Sequence, residues 1–368
     1  MSEPASQSAD PQQRAIRPGG GRNAGRLMDL LRAQGPMGRR KLALALGVTP
    51  QTIGNLVDTL LADGWISALG PERKGRGKPG ARYAVNPGGA VSIGYELAQD
   101  RVHWVVMDLA GSLRASGRFQ VADAAPATVL PLLAARTEAL RKDIPAPLAG
   151  VGVVAPGPFG PLRRRAGLGG AAAWSGPDPI APLQAVLDVP VHLDNDANAA
   201  ALAEALFGAG ARMSDFLTLY FGEGVGLGIV AGGRPLRGAY GNAGEIGLMH
   251  LAEGDAPLDA LASAAGLRDD ASDAAVSDWI ARAVPPLVQV LSLLEDIFDP
   301  ERVIVSGDLP PGAVERFCDA LLAGGIAPPG PIAGMAGPLT AATGAAALPL
   351  FDVLTARSDP GDAPPSPA

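Results

Sequence analysis

The 368-residue sequence predicts two unlike parts: a small N-terminal winged helix-turn-helix, mainly α, and a larger α/β body. Three observations carry this. Helically spaced apolar residues with sharp stops run from residue 26 to 61. A basic segment gives way to acidic chain near residue 86. From about residue 90, apolar strand-like runs alternate with Ala/Leu-rich helical stretches. Residues 23–86 hold ten Lys and Arg against four Asp and Glu, a net +6 in a chain whose formal net charge is −7. One segment is suited to a polyanion and the remainder, near −13, to something else.

The first helix is marked by Arg26, Leu27, Leu30 and Leu31 and stopped by Gly35-Pro36; the second carries Leu42, Ala45 and Leu46 and ends at Gly47. The third starts with Thr49 as N-cap and Pro50 at the first helical position. Ile53, Leu56, Val57, Leu60 and Leu61 then form one apolar face, leaving Gln51, Thr52, Asn55 and Asp58 on the other. In a helix-turn-helix over 39–66, that helix enters the major groove of double-stranded DNA. Gln51, Thr52 and Asn55 become the base readers, and Arg39, Arg40 and Lys41 hold phosphates. The Gly-rich loop in 70–83, with Lys74, Arg76 and Lys78, reads as the wing that lies on the backbone or reaches the minor groove. The competing reading is a three-helix protein-binding module with a solvated basic loop. Asp58 opposes DNA, and Gly54 costs the helix about 1 kcal/mol relative to Ala unless it lets the backbone approach the duplex.

Composition narrows the class. Hydrophobic residues make up 47% and aromatics only 4%, so Ala, Val and Leu must fill the core. The single cysteine, Cys318, excludes an internal disulfide and any multi-cysteine metal site, and a cytoplasmic location is expected. Residues 1–21 are polar and Pro-rich, unlike a signal peptide, and no uninterrupted apolar run is long enough to span a bilayer. Stretches 1–22 and 356–368 read as disordered tails, leaving 23–86 and 87–355 as the folded parts.

In the body, strands are expected at 91–96, 102–109, 150–154, 191–193, 216–221, 226–231 and 303–306, and helices at 126–142, 198–207, 277–298 and 311–322. Three segments carry chemistry. Gly150 to Pro158 is a strand ending in a tight turn. His192-Leu193-Asp194-Asn195-Asp196-Ala197-Asn198 closes a strand and opens an Ala-rich helix with clustered carboxylates and amides. Gly222-Glu223-Gly224-Val225-Gly226-Leu227-Gly228 leads through Gly232-Gly233 to Ala243-Gly244-Glu245-Ile246-Gly247. The plainer reading is that Asp194, Asn195 and Asp196 only cap a helix.

In this order and spacing, together with Trp174, Asp299-Pro300 and Gly344-Ala345-Ala346, the segments resemble the ROK family of repressors, open reading frames and sugar kinases, over about residues 23–350. The N-terminal winged helix resembles its repressor branch. The resemblance implies a two-lobed actin-like, ribonuclease-H-like body with a sugar between the lobes. It makes Asp196 the counterpart of the kinases' catalytic base, here vestigial, and Asn195, Glu245 and Asp259 binders of sugar hydroxyls. It further implies a homodimer or homotetramer on an operator.

The chain departs from the family pattern in two places. The family's zinc-binding His position is Leu248, with His250 two residues on, and the Cys cluster is replaced by 253–259, so neither a metal nor another cofactor is expected. The kinases' first phosphate loop is replaced by Gly94-Tyr95-Glu96-Leu97-Ala98-Gln99, and Glu223 stands where the second phosphate loop has Thr. A carboxylate there repels polyphosphate, so a DNA-binding, sugar-responsive regulator without kinase activity is expected. The alternatives are a sugar kinase with an appended DNA-binding domain, and a DNA-binding protein whose body serves only assembly.

Overall fold

The computed structural model describes residues 18–355 except 20, 71–79, 156, 158–173, 175–179, 240, 253–255 and 268–270. The loop carrying Lys74, Arg76 and Lys78 and the C-terminal stretch 356–368 lie outside the described residues.

The N-terminal unit comprises α1 (Gly21–Gln34), β1 (Met37–Gly38), α2 (Arg39–Leu46), α3 (Pro50–Ala62), β2 (Ile66–Leu69) and β3 (Arg82–Val85), with the strands ordered β1-β3-β2. The helix signals act as read. Gly47 adopts a left-handed conformation, closing α2 through its N–H to the carbonyls of Ala43 and Leu44, and the Thr49 side chain accepts from the N–H of Thr52. One boundary differs: α1 begins at Gly21, inside the stretch read as a tail.

The body contains two five-stranded sheets. The first is built from β4 (Val91–Leu97), β5 (Arg101–Asp108), β6 (Leu113–Gln120), β7 (Leu148–Val154) and β8 (Val191–Asp194), ordered β6-β5-β4-β7-β8. β4, β5 and β6 are antiparallel, whereas β7 and β8 add in parallel. α4 (Pro126–Asp143) and the short α5 (Ala181–Gln184) lie between its strands in sequence. After α6 (Asp196–Phe207) the second sheet repeats the same pattern with β9 (Phe216–Phe221), β10 (Val225–Ala231), β11 (Arg234–Pro235), β12 (Arg302–Gly307) and β13 (Ile332–Ala336), ordered β11-β10-β9-β12-β13. The remaining helices are α7 (Leu258–Ala262), α8 (Asp273–Phe298), α9 (Ala313–Ala323) and α10 (Thr340–Leu354).

Helices α6 and α10 pack together between the sheets, α10 on β4 and β7 and α6 on β9 and β10. Small residues make this layering possible. A Cβ on Gly94 or Gly152 would collide with carbonyls of α10 at Ala342 and Ala345, and one on Gly344 would meet the backbone of α6 at Ala199. The Gly and Ala content of this chain thus buys close helix–sheet approach that larger side chains would prevent.

The core of the N-terminal unit is continuous with the body. Leu27, Met28, Leu31, Ile53 and Leu60 belong to one apolar cluster with Val105 and Met107 of β5 and Ala346, Leu350 and Leu354 of α10. The short β1, α5 and α7 were not foreseen, and the longer elements not foreseen are β6, whose residues are mostly exposed, β13, and α10, whose Gly344 and Pro349 argue locally against a helix. Burial between two sheets overrides that local preference.

Candidate functional site

A cleft of about 740 Å³ opens where the N-terminus of α6 meets the β9–β10 turn and α7; its described lining includes Trp174, Asn195, Asp196, Glu245, Leu248 and Asp259. The four residues proposed from sequence to bind a ligand therefore converge on one cavity.

Asn195 is the N-cap of α6, which begins at Asp196, two residues earlier than expected from the Ala-rich run. Its Oδ1 accepts from the N–H of Asn198 at 2.7 Å, as the capping reading anticipates, while its Nδ2 donates to Glu245 Oε1 at 3.2 Å. One amide thus both caps a helix and orients a carboxylate across the cleft. Asp196 follows as the first helical residue, with Oδ1 accepting from the N–H of Ala197 at 2.9 Å. Burial pushes its carboxyl up to about 7, and the nearby negative charges of Glu245 and Glu96 act in the same direction. Glu245 and Asp259 are also raised, chiefly by burial. Asp259 is the most committed of the four: Oδ1 accepts from the N–H of Val225 at 2.7 Å, and the carboxyl is packed against Gly224 and Gly247. A Cβ on Gly157 would meet Glu245 Oε1, so a larger residue there would have to displace the carboxylate.

Sequence reasoning missed the support beneath these groups. Asp194 is buried and accepts from the N–H of Asn195 at 2.9 Å and from Asn198 Nδ2 at 3.0 Å through Oδ1, and from Arg237 Nε at 2.5 Å through Oδ2. Trp174 donates from Nε1 to the carbonyl of Ala124 at 2.9 Å. The Asp194 signal was present in the carboxylate cluster, but its partner Arg237 lies 43 residues away.

On the other side of the cleft, Glu223 Oε1 accepts from the backbone N–H of Gln99 at 3.0 Å. In the adjoining pocket, outside the cleft lining, Arg101 lies 3.8 Å from Asp308, and Glu96 pairs with His103 at 3.1 Å. Glu223 therefore meets a first-sheet backbone amide where the sequence reading expected a phosphate to be repelled.

In the N-terminal unit, Arg40, Lys41, Gln51, Thr52 and Asn55 are all exposed. Gln51 Nε2 donates to Asn55 Oδ1 at 3.2 Å, and the hydroxyls of Thr49 and Thr52 lie 2.9 Å apart. Arg39 differs from its neighbours. It donates to Asp58 Oδ1 at 2.5 Å and to Tyr83 Oη at 3.0 Å, and it stacks over the Tyr83 ring, which ties α2, α3 and β3 together. The Asp58 charge that stood against DNA is thereby paired within the unit.

Comparison with known proteins accounts for this arrangement. Residues 92–260 match the model of the ROK family, which spans the strands and helix that build the cleft. The xylose repressor of Caldicellulosiruptor bescii is 26% identical over 57% of this chain and 53% of its own length, so the alignment spans about half of that relative. Among solved structures, a ROK family transcriptional regulator described as a homologue of the Escherichia coli MLC protein covers 90% of this chain and 97% of its own, with a TM-score of 0.67 and 19% identity, a likeness of fold. A ROK hexokinase from Thermus thermophilus covers 70% and 97%, with a TM-score of 0.55 and 26% identity. The uncharacterised protein y4fQ of Sinorhizobium fredii is 31% identical over 82% of this chain and 81% of its own. With that identity sustained along both chains and the family model falling on the cleft itself, this chain is a member of the ROK family.

Proposed function

We propose that this protein is a DNA-binding transcriptional regulator, acting as a repressor, whose actin-like body binds a sugar or sugar derivative and has no kinase activity. The observation that carries the reading is the pairing of two features in one chain. An exposed polar helix face with neighbouring cations lies in the N-terminal unit, and Asn195, Asp196, Glu245 and Asp259, whose side chains can bond hydroxyls, line the cleft. The helix–helix–helix–hairpin order of 21–85 supports a winged helix-turn-helix with α3 as the recognition helix, Gln51, Thr52 and Asn55 at base edges, and Arg40 and Lys41 on phosphates. Lys74, Arg76 and Lys78, outside the described residues, would add positive charge for the duplex backbone. Arg39 is assigned to holding the motif together as well as to the backbone of the duplex. The similarity to a xylose repressor supports the same reading. A homodimer or homotetramer would place two such units on a pseudo-palindromic operator.

Among the described residues, the cleft is lined by apolar side chains such as Trp174 and Leu248 together with carboxylates and amides, and by no Lys, Arg or His, which favours a neutral ligand carrying hydroxyls over an anionic one. On the opposite side, Glu223 satisfies a protein amide and supplies negative charge, which supports sensing over phosphoryl transfer.

The test is duplex binding by the purified protein to the region upstream of its own gene, measured against salt. Lys41→Ala is expected to reduce the salt slope by about one while leaving sequence preference intact, and Asn55→Ala to relax sequence preference. Absence of salt-sensitive duplex binding would overturn the reading.

A further inference from the structure

Resting on the regulator reading, we propose that Arg32 is the polar joint through which the state of the cleft reaches the N-terminal unit. Helix α6 has the cleft at one end and the N-terminal unit at the other. Its cap and first residue are Asn195 and Asp196. At the far end of its 12 residues, about 18 Å away at 1.5 Å per residue, the carbonyls of Ala205 and Leu206 accept from Arg32 Nη1 of α1, at 3.2 and 2.5 Å. The last carbonyls of a helix have no partner within it and carry the negative end of its dipole, so a guanidinium fits them in both charge and geometry. Nor is Arg32 a loose surface chain: its side chain is only 11% exposed, and Nε and Nη2 donate to Asp29 Oδ1 at 3.2 and 2.7 Å. The planar fork thereby fixes α1 to the end of α6 in direction as well as distance.

A second, apolar joint runs in parallel. The backbone of α6 at Ala199 presses on Gly344 of α10, and the far end of α10 shares the cluster that holds α1. A shift of α6 is therefore delivered to α1 by two routes, only one of them directional. A cavity of about 830 Å³ beside the joint, lined by Arg32, Ala33, Gln34, Arg212 and Phe351 among others, gives α1 room to tilt. At the cleft end, α6 is tied across the opening by the bond from Asn195 to Glu245, so a ligand that engages either group changes how α6 is seated. A ligand preferring one seating then biases the N-terminal unit by that difference in affinity.

Hydrogen exchange on the full chain tests this with four proteins: wild type, Asn195→Ser, Arg32→Met and the double variant. Serine keeps a capping oxygen at 195 but has no amide to donate to Glu245. Asn195→Ser is expected to raise exchange in α1 and α3 by about threefold or more, and to leave them nearly unchanged when Arg32 is already Met. If Arg32→Met does not fold, Arg32→Lys replaces it, since a single ammonium cannot hold Asp29 and both carbonyls together. An effect confined to α6, or an equal rise in α1 with and without Arg32, overturns the proposal. Neither DNA nor sugar is present in this experiment. Its failure therefore leaves the regulator reading standing, and a protein that transmits the change but binds no duplex overturns that reading alone.

Discussion

The two sides of the cleft have opposite economies of hydrogen bonding. On the side of Asn195, Asp196 and Glu245, the polar groups are oriented by one another but keep lone pairs facing the cavity, with carboxyls held above their ordinary range by burial. On the side of Gln99 and Glu223, the groups are turned onto each other across the two sheets, with Arg101 and Asp308 paired in the adjoining pocket. Poised groups can take a ligand, whereas mutually satisfied ones act as a latch. Within one fold, a binding surface and a closure contact differ by whether the second partner is solvent or protein.

The sharpest way to break this contrast is to remove charge without changing shape. Asp196→Asn and Glu245→Gln are expected to weaken binding of a sugar that raises the wild-type melting temperature by roughly ten- to a hundredfold by calorimetry, the size of a lost charged hydrogen bond of about 1.5–3 kcal/mol. Glu223→Ala should leave that affinity within about twofold. A ligand lost equally from both sides would sink the distinction.

Next in size is a steric test. Gly157→Ala places a methyl group on Glu245 Oε1 and must displace it, so sugar affinity is expected to fall about tenfold while the melting temperature moves by only a few degrees.

Titration gives an effect of similar size with a defined sign. A ligand hydroxyl donating to Asp196 favours its ionised form, so affinity is expected to rise roughly tenfold between pH 6 and 8, through the value of about 7. Stability runs the other way. The folded carboxyl keeps its proton above its ordinary value of 3.8, so ionisation between about pH 4 and 7 costs the fold stability. Asp196→Asn should flatten that decline, seen as a melting temperature less sensitive to pH. The smallest effect belongs to the latch: Glu223→Ala should lower stability by less than about 1.5 kcal/mol, read from denaturant midpoints. ATP-dependent sugar phosphorylation by the wild type would overturn the reading of this side altogether.

Much of the fold was legible because the strands are long apolar runs and the N-terminal helices carry their own punctuation. Thr49-Pro50 and Gly47 fix helix ends using contacts within a few residues. Helix α10 was not legible, since Gly344 and Pro349 are tolerated only where two layers enclose them. In the site, Asn195, Asp196, Glu245 and Asp259 could be named from the resemblance to the family, and the structure brings them to one cavity. The supports Arg237 and Gln99 could not, because each meets its partner across 43 and 124 residues. Arg39 shows the reverse difficulty: a cation read as a phosphate contact is also the clamp on Asp58 and Tyr83, and no local pattern distinguishes the two roles.

The apolar cluster shared by α1, α3, β5 and α10 also bears on how such a chain can be rebuilt. Exchanging residues 21–85 for the corresponding unit of a relative would transplant the exposed polar face of α3 but also strip the cover from Leu350, Val353 and Leu354. A working chimera would have to carry matched α1 and α10 surfaces, so the heritable module is a helical head together with the chain's last helix, two stretches at opposite ends of the described sequence.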